Sequence, residues 1–138
     1  MSNRIKILII EPDLSFCLVL EDFIKKNSYI EIGEVRKTDL GNEGMSLLTT
    51  NHYDYVFISD ELLDFKGATI IEYINRYYFR HKLQIVALTN NAELPNLIKL
   101  IEAGATSFID KRKLTLQRID RLFNPVYNAD SSLTNYRF

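Results

Sequence analysis

Side chains that could do acid, hydroxyl and amine chemistry stand directly after short apolar runs in this chain. Glu11, Pro12 and Asp13 follow Ile5–Ile10 (IKILII), and Ser59 and Asp60 lie at the end of residues 54–59 (DYVFIS) and just beyond. Thr89 and Asn90 follow residues 83–88 (LQIVAL), and Asp110 and Lys111 follow residues 107–109. Brought to one place, the acids would make a cation-binding pocket, with the hydroxyl and the amine as a phosphate-reading rim. Taken singly, each has a plainer reading. Thr89 can cap a helix, Lys111 can be a solvated charge, and Glu11, Asp13 and Asp60 can be solvated loop carboxylates.

The elements between these residues decide whether they meet. The run IKILII is β-branched and stops at Glu11-Pro12-Asp13, which reads as a buried strand ended by a turn. Phe16, Val19, Leu20 and Phe23 then recur at helical spacing, with Asp13 as N-cap and Asn27 as the stop. Residues 29–35 read as a second strand, and Lys37-Thr38-Asp39 offers a cap for a helix over residues 40–49, which Gly41 and Gly44 weaken. A third strand over 54–59 leads through the loop 60–66 and Gly67-Ala68 into a helix marked by Ile70, Ile71 and Ile74. After the strand 83–88, Leu94, Leu97, Ile98 and Ile101 form a stripe, with Pro95 in the first turn and Gly104 just past the end. A strand over 107–109 and a helix over 114–123 complete five βα units.

Strict alternation with near-continuous apolar strands predicts an α/β fold with a parallel sheet covered by helices on both faces. In such sheets the site lies beyond the C-terminal ends of the strands, where the four groups of polar residues stand. Length and composition agree with one ordinary globular domain: 138 residues, 46% hydrophobic and 25% charged, with a net charge of −1 that attracts neither nucleic acid nor anionic membrane. Cys17 is the only cysteine, so an intramolecular disulfide or a paired-thiolate metal site is excluded. No signal-peptide core or membrane-length apolar run is present, and the expectation is a soluble cytoplasmic protein.

The opening IKILIIEPD, the block YDYVFISDELLDFKG, the ALT ending of the fourth strand and the segment EAGATSFIDK together resemble the response-regulator receiver domain of two-component signalling, over about residues 5–123. The resemblance implies a CheY-like, flavodoxin-like doubly wound (βα)5 fold with strand order 2-1-3-4-5. It implies a receiver over residues 1–123 and an extension or linker over 124–138. In that family an acidic pair after the first strand holds a divalent metal, an aspartate ending the third accepts a phosphoryl group, and a Thr or Ser and a Lys contact its oxygens. Thr89 and Lys111 match the last two, and Phe108 matches the switch aromatic. Aligning Asp54 and Gly67 with their family counterparts places Ser59 at the phosphoacceptor position and Asp60 one residue late, where a one-residue slip turns a strand side chain to the opposite face. Glu11 takes the first acidic position, while Pro12 stands at the direct metal-ligand position without an oxygen to donate. Asp13 stands at a third position whose acid usually points elsewhere.

The resemblance therefore implies a degenerate receiver with the fold and rim intact and a residual acidic pocket of Glu11, Asp13 and Asp60. No cofactor is expected, and Mg²⁺ binding should be weak or absent. Such a chain would act through a protein partner or a homodimer, using the fourth helix, fifth strand and fifth helix, about residues 92–103 and 107–123. Membrane or direct nucleic-acid binding is not expected. An alternative is the receiver half of a DNA-binding transcription regulator, motivated by Ile32-Gly33-Glu34-Val35, by Arg112 rather than proline after Lys111, and by the 124–138 segment. An enzyme, a phosphatase using Asp60 or a hydrolase using Ser59, lacks a GxSxG elbow, a glycine-rich phosphate loop and a nearby histidine. Ser59 as a serine-kinase substrate is a further expectation. His52 and His81 read as surface residues, Cys17 as a buried or half-buried thiol, and residues 76–82 as a core-and-rim segment rather than a nucleic-acid stacking platform. Tyr127, Tyr136 and Phe138 read as part of a frayed tail.

Overall fold

Four largely buried strands and a more polar edge strand, residues 32–38, lie side by side in parallel, the buried ones because side chains on both of their faces must be covered. The computed structural model describes residues 4–77 and 82–128. In chain order the elements are β1 (Ile5–Ile10), α1 (Leu14–Lys26), β2 (Ile32–Thr38), α2 (Gly41–Thr50), β3 (Tyr55–Ser59), α3 (Gly67–Tyr77), β4 (Gln84–Thr89), α4 (Leu94–Ala103), β5 (Ser107–Asp110), α5 (Leu116–Phe123) and a single turn, α6 (Pro125–Asn128). The sheet order is β2-β1-β3-β4-β5 with every pairing parallel, as expected. Residue 81, most of the basic and aromatic stretch and the tail from 129 onward lie outside the described residues.

Strand alternation divides the core in two. Ile7, Ile9, Phe57, Val86, Leu88 and Ile109 face Cys17, Leu20, Ile24, Ile119 and Phe123 of α1 and α5. Leu8, Ile10, Val56, Ile58, Ile85 and Ala87 face Leu48, Ile70, Ile71, Ile74 and Leu100 of α2, α3 and α4. Each large side chain buried in full contributes about 1.5–3 kcal/mol, so the strands bearing the polar residues at their ends are anchored on both faces.

Several local expectations are corrected. Residues 29–31 do not join β2, because Asn27 Oδ1 accepts from the N–H groups of Tyr29 and Ile30, both at 2.8 Å, and holds them in a turn. The cap on α2 does not come from residues 37–39. It comes from Asp64 across the molecule, whose carboxylate accepts from the N–H groups of Gly41 and Asn42, both at 2.9 Å. Gly44 does not break α2. A Cβ there would stand 2.3 Å from Ile10 Cδ1, so glycine is what lets the helix lie close on β1. The last helix begins later than residue 114, because Lys111–Lys113 form a 3₁₀ turn and Thr115 caps α5 by accepting from Arg118 N at 3.1 Å.

The stripes also rotate. On α4 the buried residues are Leu97, Leu100 and Ala103, while Leu94 and Ile98 are 57% and 44% exposed. On α1 they are Cys17, Leu20 and Ile24, leaving Val19 exposed. Asp13 caps α1 by accepting from Phe16 N at 3.1 Å, Asn27 closes it and Gly104 closes α4, all as expected.

Candidate functional site

The ends of β1, β3, β4 and β5 carry the residues singled out above, and the ladder hydrogen bonds run one residue past the strands. Glu11 N donates to Thr38 O and Asp60 N to Leu88 O, both at 2.9 Å, so these two acids start from fixed backbone. Gly67 N donates to Asp60 O at 2.9 Å, and a Cβ on Gly67 would meet Ser59 O at 2.1 Å. Only a glycine lets α3 begin this close to the end of β3.

On the α1 side, Lys111 Nζ donates to Glu11 Oε2 at 2.9 Å. The pair is buried, the lysine side chain 10% exposed and the glutamate 0%. Asp13 N also donates to Glu11 Oε2, at 2.9 Å, and Lys111 Nζ stands 4.9 Å from the Phe16 ring centroid, so a cation–π contact accompanies the ion pair. Glu11 Oε1 is buried with no hydrogen-bond partner. Cys17, buried beneath, has its thiol pushed up to about 11, first by burial, so it is not a nucleophile at neutral pH.

On the α4 side, Thr89 Oγ1 donates to Asp60 Oδ2 at 2.5 Å and accepts from Asn91 N at 2.9 Å. Asn96, in the first turn of α4, places its Nδ2 3.3 Å from the same Asp60 oxygen, 3.2 Å from Thr89 Oγ1 and 2.8 Å from Asn91 O. Ser59 belongs to neither group. It is 2% exposed, and its hydroxyl donates to Glu61 O at 3.0 Å and accepts from Glu61 N at 3.3 Å. Phe108 is half-buried against the α2–α4 face of the core.

Beyond Lys111, the buried Asp110 takes hydrogen bonds from Arg112 N, Nε and Nη2 at 3.0, 3.2 and 3.3 Å. Burial pushes the Asp110 carboxyl up, but the Arg112 bonds and the charges of Arg112 and Lys113 outweigh it and hold the group below its ordinary value. Asp64 is likewise held low, first by the hydrogen bond from Asn42 N, against a smaller opposing effect of burial.

The structure gives the sequence-predicted residues different hydrogen-bond partners. Of the three acids expected to form a residual acidic pocket, the Glu11 carboxylate is bonded to Lys111 and to Asp13 N, the Asp13 carboxylate caps α1, and the Asp60 carboxylate is bonded to Thr89. The expected common rim of Thr89 and Lys111 is likewise divided between two carboxylates. Asp60 and Ser59 take different partners, Thr89 for Asp60 and the Glu61 backbone for Ser59. Asn96 and Asp64 were not found by sequence reasoning. A signal for Asn96 was present, an amide on the polar side of an amphipathic helix one residue after Pro95, but its partners lie far away in sequence.

Residues 7–122 match the response regulator receiver domain, and the chain belongs to that family. Among solved structures, it is similar to a response regulator of Chloroflexus aurantiacus, at 23% identity and a TM-score of 0.76, covering 95% of this chain and 98% of that one. It is also similar to a Francisella response-regulator receiver domain, at 16% identity and a TM-score of 0.75, covering 91% and 98%. A third similar structure is DrrB of Thermotoga maritima, an OmpR/PhoB homolog, at 16% identity and a TM-score of 0.76, where 93% of this chain covers 55% of that one. No curated protein matches the chain. Receiver domains are in general signalling modules rather than enzymes that turn over a substrate, and they act by binding partner proteins or by dimerising. Among the described residues no helix is long and apolar enough to cross a membrane.

The divalent metal that the family implies does not fit the donors present. Pro12 offers no side-chain oxygen, Asp13 is spent on the α1 cap, and an ammonium group stands 2.9 Å from Glu11 Oε2. Among the described residues no three His, Cys, Asp or Glu side chains converge on one point.

Proposed function

We propose that this chain is a degenerate receiver that signals by protein–protein contact without forming an aspartyl phosphate. The observation that carries the reading is the prior engagement of the rim: Lys111 is ion-paired to Glu11 and Thr89 is hydrogen-bonded to Asp60. At the phosphoacceptor position Ser59 offers a neutral hydroxyl, already donated to a backbone carbonyl, and no base is bonded to it. Phosphoryl transfer depends on an activated nucleophile and on a metal that neutralises charge, and Ser59 with its hydroxyl on a carbonyl and Pro12 at the metal-ligand position weigh against both. The burial of Ser59 weighs equally against a serine kinase. The contact face follows the family's α4, β5 and α5, and the exposure of Leu94 and Ile98 supports it. No cofactor enters this reading.

The test is incubation with a small-molecule phosphodonor and Mg²⁺ followed by intact mass. The mass is expected to stay unchanged, and stoichiometric phosphoryl gain at an aspartate would overturn the reading. Ser59→Asp alone is also expected to remain inert, because Pro12 and the Glu11–Lys111 pair are unchanged in it.

A second reading, the receiver half of a DNA-binding transcription regulator, is favoured by the similarity to DrrB, of which this chain covers 55%. Sequencing the gene past Phe138 tests it: an open frame encoding a helix-turn-helix module supports it, and an immediate stop codon removes it.

A further inference from the structure

Asp60 links the loop after β3 to the end of β4 and to the first turn of α4. The Thr89 hydroxyl has a single proton and two acceptors in reach, Asp60 Oδ2 at 2.5 Å and Asn91 O at 3.1 Å. A hydroxyl bonded to a carboxylate lies at about 2.5–2.7 Å, so the proton belongs to the Asp60 bond. Thr89 is fully buried, and its lone pairs take the N–H of Asn91 and the amide of Asn96, so its bonding capacity is filled. Asn96 in turn divides its amide between Asp60, Thr89 and the Asn91 carbonyl. The backbone of Asp60 is clamped on both sides, to Leu88 O and by Gly67 N, so the carboxylate is aimed by rigid elements.

We infer that Asp60 is a resident anion that holds Thr89 and the first turn of α4 in one position. The α4 face bearing exposed Leu94 and Ile98 is then set by the polypeptide itself and needs no incoming phosphoryl group. The inference rests on the phosphorylation-independent reading above and names how that state is maintained. The residue one place late for the family's chemistry is in register to reach Thr89, because the one-residue slip turns it to the α4 side of the sheet.

Hydrogen–deuterium exchange on the full chain, without phosphodonor, compares the unaltered protein with Asp60→Asn and Asp60→Ala. In Asp60→Ala the amides of Asn91, Asn96 and Leu97 should exchange about 10- to 100-fold faster, the loss expected for a hydrogen bond to a charged group. Asp60→Asn should be intermediate, and β1 and α1 should keep their rates. Unchanged exchange at Asn91 and in α4, or an equal acceleration in β1 and α1, would overturn the inference. Should Asp60→Ala not fold, Asn96→Ala removes only the α4 arm, and is expected to speed exchange in α4 while leaving Asn91 protected; no change in α4 would again overturn it. A phosphodonor experiment bears on the other reading alone, so the two fail separately.

Discussion

The two halves of the strand-end rim solve the same problem with different partners. Beside α1, a carboxylate meets an ammonium, both nearly out of solvent, and one carboxylate oxygen is left unpartnered. Beside α4, a carboxylate meets a hydroxyl and an amide, and the network extends through backbone groups. The first arrangement is costly to interrupt, because removing one ion strands the other where water does not reach it. The second is graded, because each member keeps a further partner when one is removed. The contrast teaches that the same strand ends hold one half as a structural lock and the other as a tie on a helix whose outer face is exposed.

The largest effect should come from the buried pair. Lys111→Ala leaves Glu11 unpaired in a site with no other cation bonded to it and should lower stability by about 3–5 kcal/mol in denaturant unfolding. Combining it with Glu11→Gln should restore most of the loss. A double variant no more stable than Lys111→Ala would show that Lys111 acts through packing on Phe16 and not through charge.

A smaller change is expected on the other side. Thr89→Val keeps the shape and removes the hydroxyl, and should cost about 1–2 kcal/mol. If it costs as much as Lys111→Ala, the contrast between the two halves is lost.

The smallest effect concerns acid. The Asp110 carboxyl is held below its ordinary value, so its contribution is full above the unfolded carboxyl's value, about pH 4, and is lost as pH falls through the lower folded value. Arg112→Ala removes the first of the groups that lower it. That variant should be less stable near neutrality and should lose less on acidification than the unaltered protein. Parallel denaturation curves at pH 7 and pH 3 check the sign, and an equal acid loss in both proteins would show that Arg112 does not hold the carboxyl.

Much of the fold was legible because it depends on local pattern. The buried part of a strand such as β1, residues 7–10, is apolar on both faces, and α3 announces itself through Ile70, Ile71 and Ile74. What was misread lies where a distant partner overrides local preference. Asp64 caps α2 from 22 and 23 residues away, and Asn27 withdraws Tyr29 and Ile30 from β2. The buried stripe of α4 is Leu97, Leu100 and Ala103, because the sheet and α3 decide which side is covered. In the candidate site, the residue types are legible at the strand ends, while their hydrogen-bond partners are not, because those lie far away in sequence.

The sequence by itself determined the α/β class, the strand order through the family it resembles, and the positions of Glu11, Ser59, Asp60, Thr89 and Lys111 at strand ends. The class and the strand-end positions follow from periodicity and from turn chemistry, which are local, whereas the strand order rests on the resemblance. Only the tertiary structure decided that Lys111 answers Glu11, 100 residues away, and that Thr89 answers Asp60 across 29. Such pairings depend on strand register and on where each backbone leaves the sheet, and in a parallel sheet those are settled only when the crossover helices are seated.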